Sequence, residues 1–283
     1  MTEIEDQLQN QNFYFRIKPS RGWVKINIRE LWAYRDLLQI LALRDVQLRY
    51  KQTALGVSWV ILQPLITSII FAIIFGRLAK LPSGGVPYEL FAFAGMLAWN
   101  IFSQSLQRSG QSLVKDTQLV TKVYFPRMII PITGSVSTLI DFVISAIILL
   151  ILLFLYKIPI TINLLALPVL LVICYIVAVG VGLWVSALSV FYRDFIYALP
   201  FVIQAWMYAS PLAYSASLIP EQWKSLYSLN PMVGIIEGFR WSFLGSPIFP
   251  WLSFGISIPI SLLIFMSGLL VFKRVERSFA DVI

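Results

Sequence analysis

Residues 128–156 read MIIPITGSVSTLIDFVISAIILLILLFLY, 29 residues with one charged side chain, Asp141. A helix rising about 1.5 Å per residue crosses the ~30 Å hydrocarbon core of a bilayer in about 20 residues. The stretch is long enough to span, and its apolar character is continuous. A barrel strand would instead alternate over about 10 residues, so a helix is selected. Five further charge-free stretches follow the same rule: Gln52–Gly76, Leu90–Gln107, Ile158–Tyr192, Phe195–Pro220 and Trp241–Phe272. The longest exceed one crossing and must include loop. The expectation is an all-α integral membrane protein with six transmembrane helices at about 55–77, 89–107, 128–155, 165–190, 195–216 and 249–272, inside a transmembrane domain over 53–276.

Composition agrees. Of 283 residues, 58% are hydrophobic and 13% charged, against roughly 45–50% and about 25% in soluble domains. This excludes a disordered chain and an ordinary soluble enzyme. The net charge of +8 is accounted for by topology. With both termini in the cytoplasm, 17 Lys and Arg fall on cytoplasmic segments and 5 outside, as the positive-inside rule requires. Nucleic acid is not needed as a partner. The first residues carry Glu3, Glu5 and Asp6 and no apolar run, so no signal peptide is read and the N-terminus is expected to be retained.

The sequence lacks several chemistries. It has no His, and its single Cys, Cys174, lies in an apolar run. No His-ligated or Cys-clustered metal site can form. Gly-Lys never occurs, nor does Asp-x-Asp or a Gly-x-Ser-x-Gly nucleophile elbow, so no phosphate-binding loop or catalytic constellation is read. No catalytic or metal-binding residue is assigned, and any ATP-driven step must be powered by a partner chain.

Five regions remain as candidates. Residues 1–29 form a cytoplasmic lead-in, and 30–52 an amphipathic interface helix. Its stripe of Leu31, Tyr34, Leu38, Leu41 and Leu48 is interrupted by Asp45 and Arg49; such a helix lies along the inner leaflet or meets a cytoplasmic partner. The cytoplasmic loop 108–127 mixes Leu113, Val114, Leu119, Val120 and Val123 with polar residues and stops at Phe125-Pro126, the pattern of a partner contact or of a plain connector. In 217–247, Asn230-Pro231 reads as an N-cap followed by Pro at the first helical position, and Glu237 and Arg240 can pair at i, i+3. Short extracellular helices between spans five and six result, a gate or an inert re-entrant hairpin. Residues 273–283 form the cytoplasmic C-terminus.

Asp141 falls near mid-membrane, where a carboxylate must be paired, protonated or facing water. No cation is evident at matching depth in the spans. Among the aromatics, Trp59, Trp99, Trp206 and Tyr208 are candidates to line a conduit, because aromatic faces suit sugar rings; as a class, Trp and Tyr also form interfacial belts.

Several ordered segments resemble one family: Glu30-Leu-Trp-Ala-Tyr-Arg35-Asp36, Leu43-Arg44-Asp45, Arg49-Tyr50-Lys51-Gln52-Thr53, Leu55-Gly56 with Trp59, Gln63-Pro64-Leu65, Val123-Tyr-Phe-Pro-Arg127, Tyr192-Arg193-Asp194, Ser210-Pro211, Leu229-Asn230-Pro231, and Phe272-Lys-Arg-Val-Glu276 with Phe279-Ala280-Asp281. The set, over roughly 22–283, is similar to the membrane subunit of ABC type-2 polysaccharide exporters of the O-antigen, teichoic-acid and polysialic-acid kind. The resemblance implies a homodimer in the bacterial inner membrane with two copies of a separate ABC ATPase. ATP and magnesium would sit on that partner, and this chain would hold no cofactor. The cargo would be an undecaprenyl-diphosphate-linked glycan. Leu113, Lys115, Leu119, Lys122, Phe125 and Arg127 would couple to the ATPase. Tyr34, Arg35, Arg44, Asp45, Arg49 and Lys51 would serve the interface helix, its basic members drawing the lipid diphosphate. Asn230, Pro231, Glu237 and Arg240 would belong to the gate. The alternatives are a permease for teichoic acid, capsule or a small lipophile, and a membrane enzyme acting on lipid-linked sugars.

Overall fold

The computed structural model describes residues 28–51, 58–246, 248–276 and 279. Most of the N-terminal lead-in, the Gln52–Gly56 part of the motif set and most residues after Glu276 lie outside them. The described residues are mostly helical, with no strand among them. In chain order the helices are α1 (Ile28–Ala33), α2 (Arg35–Tyr50), α3 (Ser58–Phe71), α4 (Tyr88–Lys115), α5 (Thr117–Lys122), α6 (Ile129–Leu155), α7 (Leu167–Phe191), α8 (Asp194–Tyr208), α9 (Glu221–Tyr227), α10 (Pro231–Leu244) and α11 (Trp251–Val275). Helix α3 runs on through a wide π turn, Ala72–Leu78.

Local chemistry sets several ends. Pro131 and Pro168 lie in the first turns of α6 and α7, where the missing N–H would have had no helical partner anyway. Asn230 caps α10 as read from sequence, its side chain accepting from the Met232 N–H at 3.0 Å. Gly245 ends that helix at φ 68°, a left-handed conformation that a Cβ would oppose.

Among the described residues, four segments are long and apolar enough to cross a membrane: Ser58–Leu78, Ile129–Leu155, Ile162–Phe191 and Trp251–Val275. These match the first, third, fourth and sixth expected spans. The other two differ for physical reasons. Helix α4 covers the second but continues to Lys115, eight residues into the expected loop 108–127. Its second half carries Ser103, Gln104, Ser105, Gln107 and Arg108, too polar for lipid. Helix α8 covers the fifth but stops at Tyr208 after 15 residues, about 22 Å of helix. Pro211 follows closely and disfavours helix in the residue before it.

The least apolar of the long helices is the hub. Of the 28 residues of α4, 19 are buried, and it packs on α3, α6, α7, α8 and α10. In lipid there is no hydrophobic force between helices, so close packing and hydrogen bonds must hold them together. Both are present. Ser105 and Thr138 hydrogen-bond at 2.6 Å between α4 and α6, and Trp184 donates to Ser267 at 3.0 Å between α7 and α11. Gly182 lets α7 sit against Ser109 of α4, and Gly180 and Gly268 let α7 and α11 touch backbone to backbone. The apolar surplus faces outward. Ile66, Ile73, Val143, Ile147, Phe154 and Leu263 are all exposed, as lipid-facing residues are.

A methyl group at Gly268 would collide with the Gly180 carbonyl, whereas one at Gly255 on the same helix would meet nothing. Gly268→Ala should therefore destabilise the protein by about 1–3 kcal/mol, read as a lower Tm in detergent, while Gly255→Ala leaves Tm unchanged.

Candidate functional site

Midway along the bundle, α2, α3, α4 and α6 enclose a cleft of about 210 Å³. Its lining includes Arg49, Trp59, Gln63, Asn100, Gln104, Asp141 and Ser145. Asp141 sits 12 residues along α6 from Ile129, ~18 Å of helix. The Arg49 guanidinium donates to its carboxylate, and also to Gln104 Oε1 at 3.2 Å. The partner that the spans did not supply thus comes from the interface helix. The two charges that interrupt the stripe of α2 have the same explanation. Leu38, Leu41, Ala42, Asp45 and Arg49 share the inward face, while Leu48, read as part of the stripe, is 60% exposed. The carboxylate is 9% exposed and Arg49 23%. The low dielectric there makes either charge alone costly.

A second junction joins α2 to the corner between α4 and α5. Arg44 donates to both Asp116 oxygens at 3.1 Å and to Asp45 at 2.8 Å. Burial pushes this guanidinium down, and the two carboxylates outweigh it, leaving it above the ordinary arginine value. Asp116 had no part in the sequence reading; an acid at the break between two helices was the available signal. Around this corner Lys115, Gln118, Lys122, Val123 and Tyr124 are exposed. Leu113 and Phe125 are not: with Leu41, Met128 and Phe272 they form the apolar cluster under the corner, against which Leu119 and Tyr34 pack. The apolar patch expected on the loop is thereby reduced to Val123 and its neighbour Tyr124. Arg127 turns to the end of α11, donating to the Glu276 carbonyl at 3.0 Å. Arg35 lies 3.7 Å from Asp36, and Lys51 is exposed.

The third junction is at the opposite end, one α4 length or about 40 Å away. Arg240 is 2% exposed. It pairs with Glu237 at 3.0 Å, as the spacing suggested, and donates to the carbonyls of Phe91, Leu212 and Tyr214 at 3.3, 2.7 and 3.2 Å. Its guanidinium lies 3.6 Å from the Phe91 ring centroid, over Gly95. Burial lowers its pKa, and Glu237 opposes that. Asn230 accepts from Trp206 at 2.8 Å and donates to Ala209 O and Ser210 Oγ at 3.1 and 3.0 Å. Together they clamp the chain that follows α8 onto α10.

Of the four aromatic candidates, only Trp59 joins Asp141 in the mid-bundle cleft. Trp99 is 3% exposed in the core against Phe102. Trp206 lines an apolar groove with Trp223 and Tyr227, and burial, then the Tyr214 hydroxyl, raises the pKa of Tyr227. Tyr208 is 69% exposed on α8. Asn100 and Gln104 were missed by the sequence reading because they sit inside a span read as uniformly apolar.

These features define a multi-pass helical membrane protein with a polar cleft at mid-depth. Residues 36–244 match the ABC-2 type transporter family, and the chain belongs to that family. It is therefore a membrane component of a transport system, and the ordered motifs resembled the right group. The chain is 26% identical to the O-antigen export system permease protein RfbA of Klebsiella pneumoniae, over 88% of this chain and 95% of that one. It is 29% identical to the RfbA of Myxococcus xanthus over 75% and 82%. It is 23% identical to the polysialic acid transport protein KpsM of Escherichia coli over 85% and 94%.

The Arg49–Asp141 pair has a thermodynamic signature. Arg49→Gln or Asp141→Asn alone should cost about 3–5 kcal/mol by breaking a largely buried ion pair. The double variant should be more stable than either single, read as Tm in a double-mutant cycle.

Proposed function

We propose that this chain is the channel subunit of an ATP-driven exporter that moves a lipid-linked polysaccharide of the O-antigen kind across the bacterial cytoplasmic membrane. The observation that carries this reading is its match along 95% of the length of an O-antigen export permease. It works as a homodimer with two copies of a separate ABC ATPase, which hold the ATP and magnesium. The carrier is an undecaprenyl diphosphate. Family membership sets the enzyme reading aside. The likeness to a polysialic acid transport protein supports a capsular glycan as the second reading.

In this proposal six segments cross the membrane, with both termini cytoplasmic, supported by the distribution of Lys and Arg. Helix α4 crosses shielded by its neighbours. The short α8 completes its crossing with the Arg240- and Asn230-clamped chain that follows it. Closure of the ATPase pair presses on Lys115, Gln118, Lys122 and Tyr124. The Arg44–Asp116 junction passes that push to α2, and Arg49–Asp141 passes it to α6 at mid-membrane, so the dimer pore widens. Helices α9 and α10 gate the outer mouth, and the exposed Arg35 and Lys51 draw the lipid diphosphate at the entry.

A strain lacking this chain should accumulate long lipid-linked glycan on the cytoplasmic leaflet and lose it from the surface. Glycan missing from both leaflets would turn the assignment toward synthesis, and a normal surface would end it. Within the complex, Arg44→Ala should leave ATPase subunits bound and hydrolysing while surface glycan falls several-fold, measured by pull-down, phosphate release and gel.

A further inference from the structure

The mid-bundle cleft holds more hydrogen-bonding capacity than the protein uses. Gln104 accepts from Arg49, but the side-chain amides of Gln63 and Asn100 make no hydrogen bond with any described residue, and both line the cleft. Trp59 stands beside them, 56% exposed. Unsatisfied carboxamides facing lipid at mid-depth are costly. The open side of this cleft, flanked by the exposed Trp59 and Gln63 of α3, therefore faces a polar space.

Charge decides what such a space can hold. Among the described residues that line the cleft, the cation Arg49 is paired with the anion Asp141, so the described lining carries no net charge. A diphosphate would arrive with net negative charge and would have to displace the Asp141 carboxylate from Arg49. A neutral polyol would not. Its hydroxyls both donate and accept, as Gln63, Asn100 and Gln104 require, and the apolar face of a sugar ring fits an indole. The volume of about 210 Å³, about seven water-sized groups at ~30 Å³ each, limits the cleft to a single sugar unit.

We infer that Trp59, Gln63, Asn100 and Gln104 form a subsite for one neutral sugar unit of the passing glycan on the conduit wall, with Arg49 and Asp141 setting its frame and leaving the diphosphate to be recognised elsewhere. This rests on the export reading above and adds a site and a ligand charge to it.

The test uses the complete transporter with its ATPase in nanodiscs. The probe is fluorescently labelled, lipid-free polysaccharide released from the host surface by mild acid. Gln63→Leu and Asn100→Leu should each weaken binding about five- to tenfold, the loss expected for one or two hydrogen bonds. Inorganic pyrophosphate should fail to displace the probe. Gln63 is exposed and its side chain makes no hydrogen bond with any described residue, so its variant keeps the fold; Asn100→Leu is nearly isosteric and adds no charge inside the bundle. Wild-type affinity in both the Gln63 and Asn100 variants, no binding by the wild type, or displacement by pyrophosphate would each overturn the subsite. If the deletion strain loses surface glycan while the cleft variants bind normally, only the subsite falls; a deletion strain with normal surface glycan removes the export reading itself.

Discussion

An arginine and an aspartate are held together inside a bundle of otherwise apolar helices, and most of the architecture is arranged around that fact. A lone charge at the depth of Asp141 would be expelled, neutralised or hydrated. Pairing it with Arg49 meets that constraint but requires α2 to stay against α6. Helix α2 is therefore an inward-facing member of the bundle along Leu38, Leu41, Asp45 and Arg49. It is connected near its C-terminal end to a cleft at mid-depth and, about one and a half turns earlier through Arg44 and Asp116, to the corner between α4 and α5. A displacement of that corner cannot leave the cleft unchanged while both ion pairs persist.

Helix α4 links the two ends. It is buried because its polar residues have no place in lipid and its small ones, such as Gly95 and Gly110, admit neighbours closely. One end rests against the Arg240 clamp, and the other carries the exposed basic corner. Interactions along it change in kind. Near Tyr88 they are aromatic and guanidinium contacts with α10; in the middle they are amides around the cleft; toward Lys115 they are serine hydrogen bonds to α6. A polar helix encased by apolar ones gives a transport protein a water-compatible interior without exposing that interior to hydrocarbon.

The sequence by itself determined what depends on neighbours in the chain. Apolar runs longer than a bilayer is thick fixed the membrane class and four of the spans. The Asn230-Pro231 cap and the Glu237–Arg240 pair were legible because each acts within a turn or two of helix. The ordered motifs pointed to the family because they are local strings. Periodicity alone misassigned Leu48 to the packed face of α2, since it takes no account of where the neighbouring helix lies.

Only the tertiary structure decided which charges meet and which apolar residues turn inward. Arg49 and Asp141 are 92 residues apart, as are no two residues that a helical period can relate. Leu113 and Val120 looked like part of a surface patch in a polar loop, yet the ends of α6, α7 and α11 cover them. Asn100 and Gln104 were hidden in a stretch whose lack of charge looked apolar, and Trp99 and Trp59 were equivalent until one fell in the core and the other on the cleft. A side chain's partner across the bundle depends on how the helices pack. That packing is set by close approaches such as Gly180 to Gly268, which no window along the sequence contains.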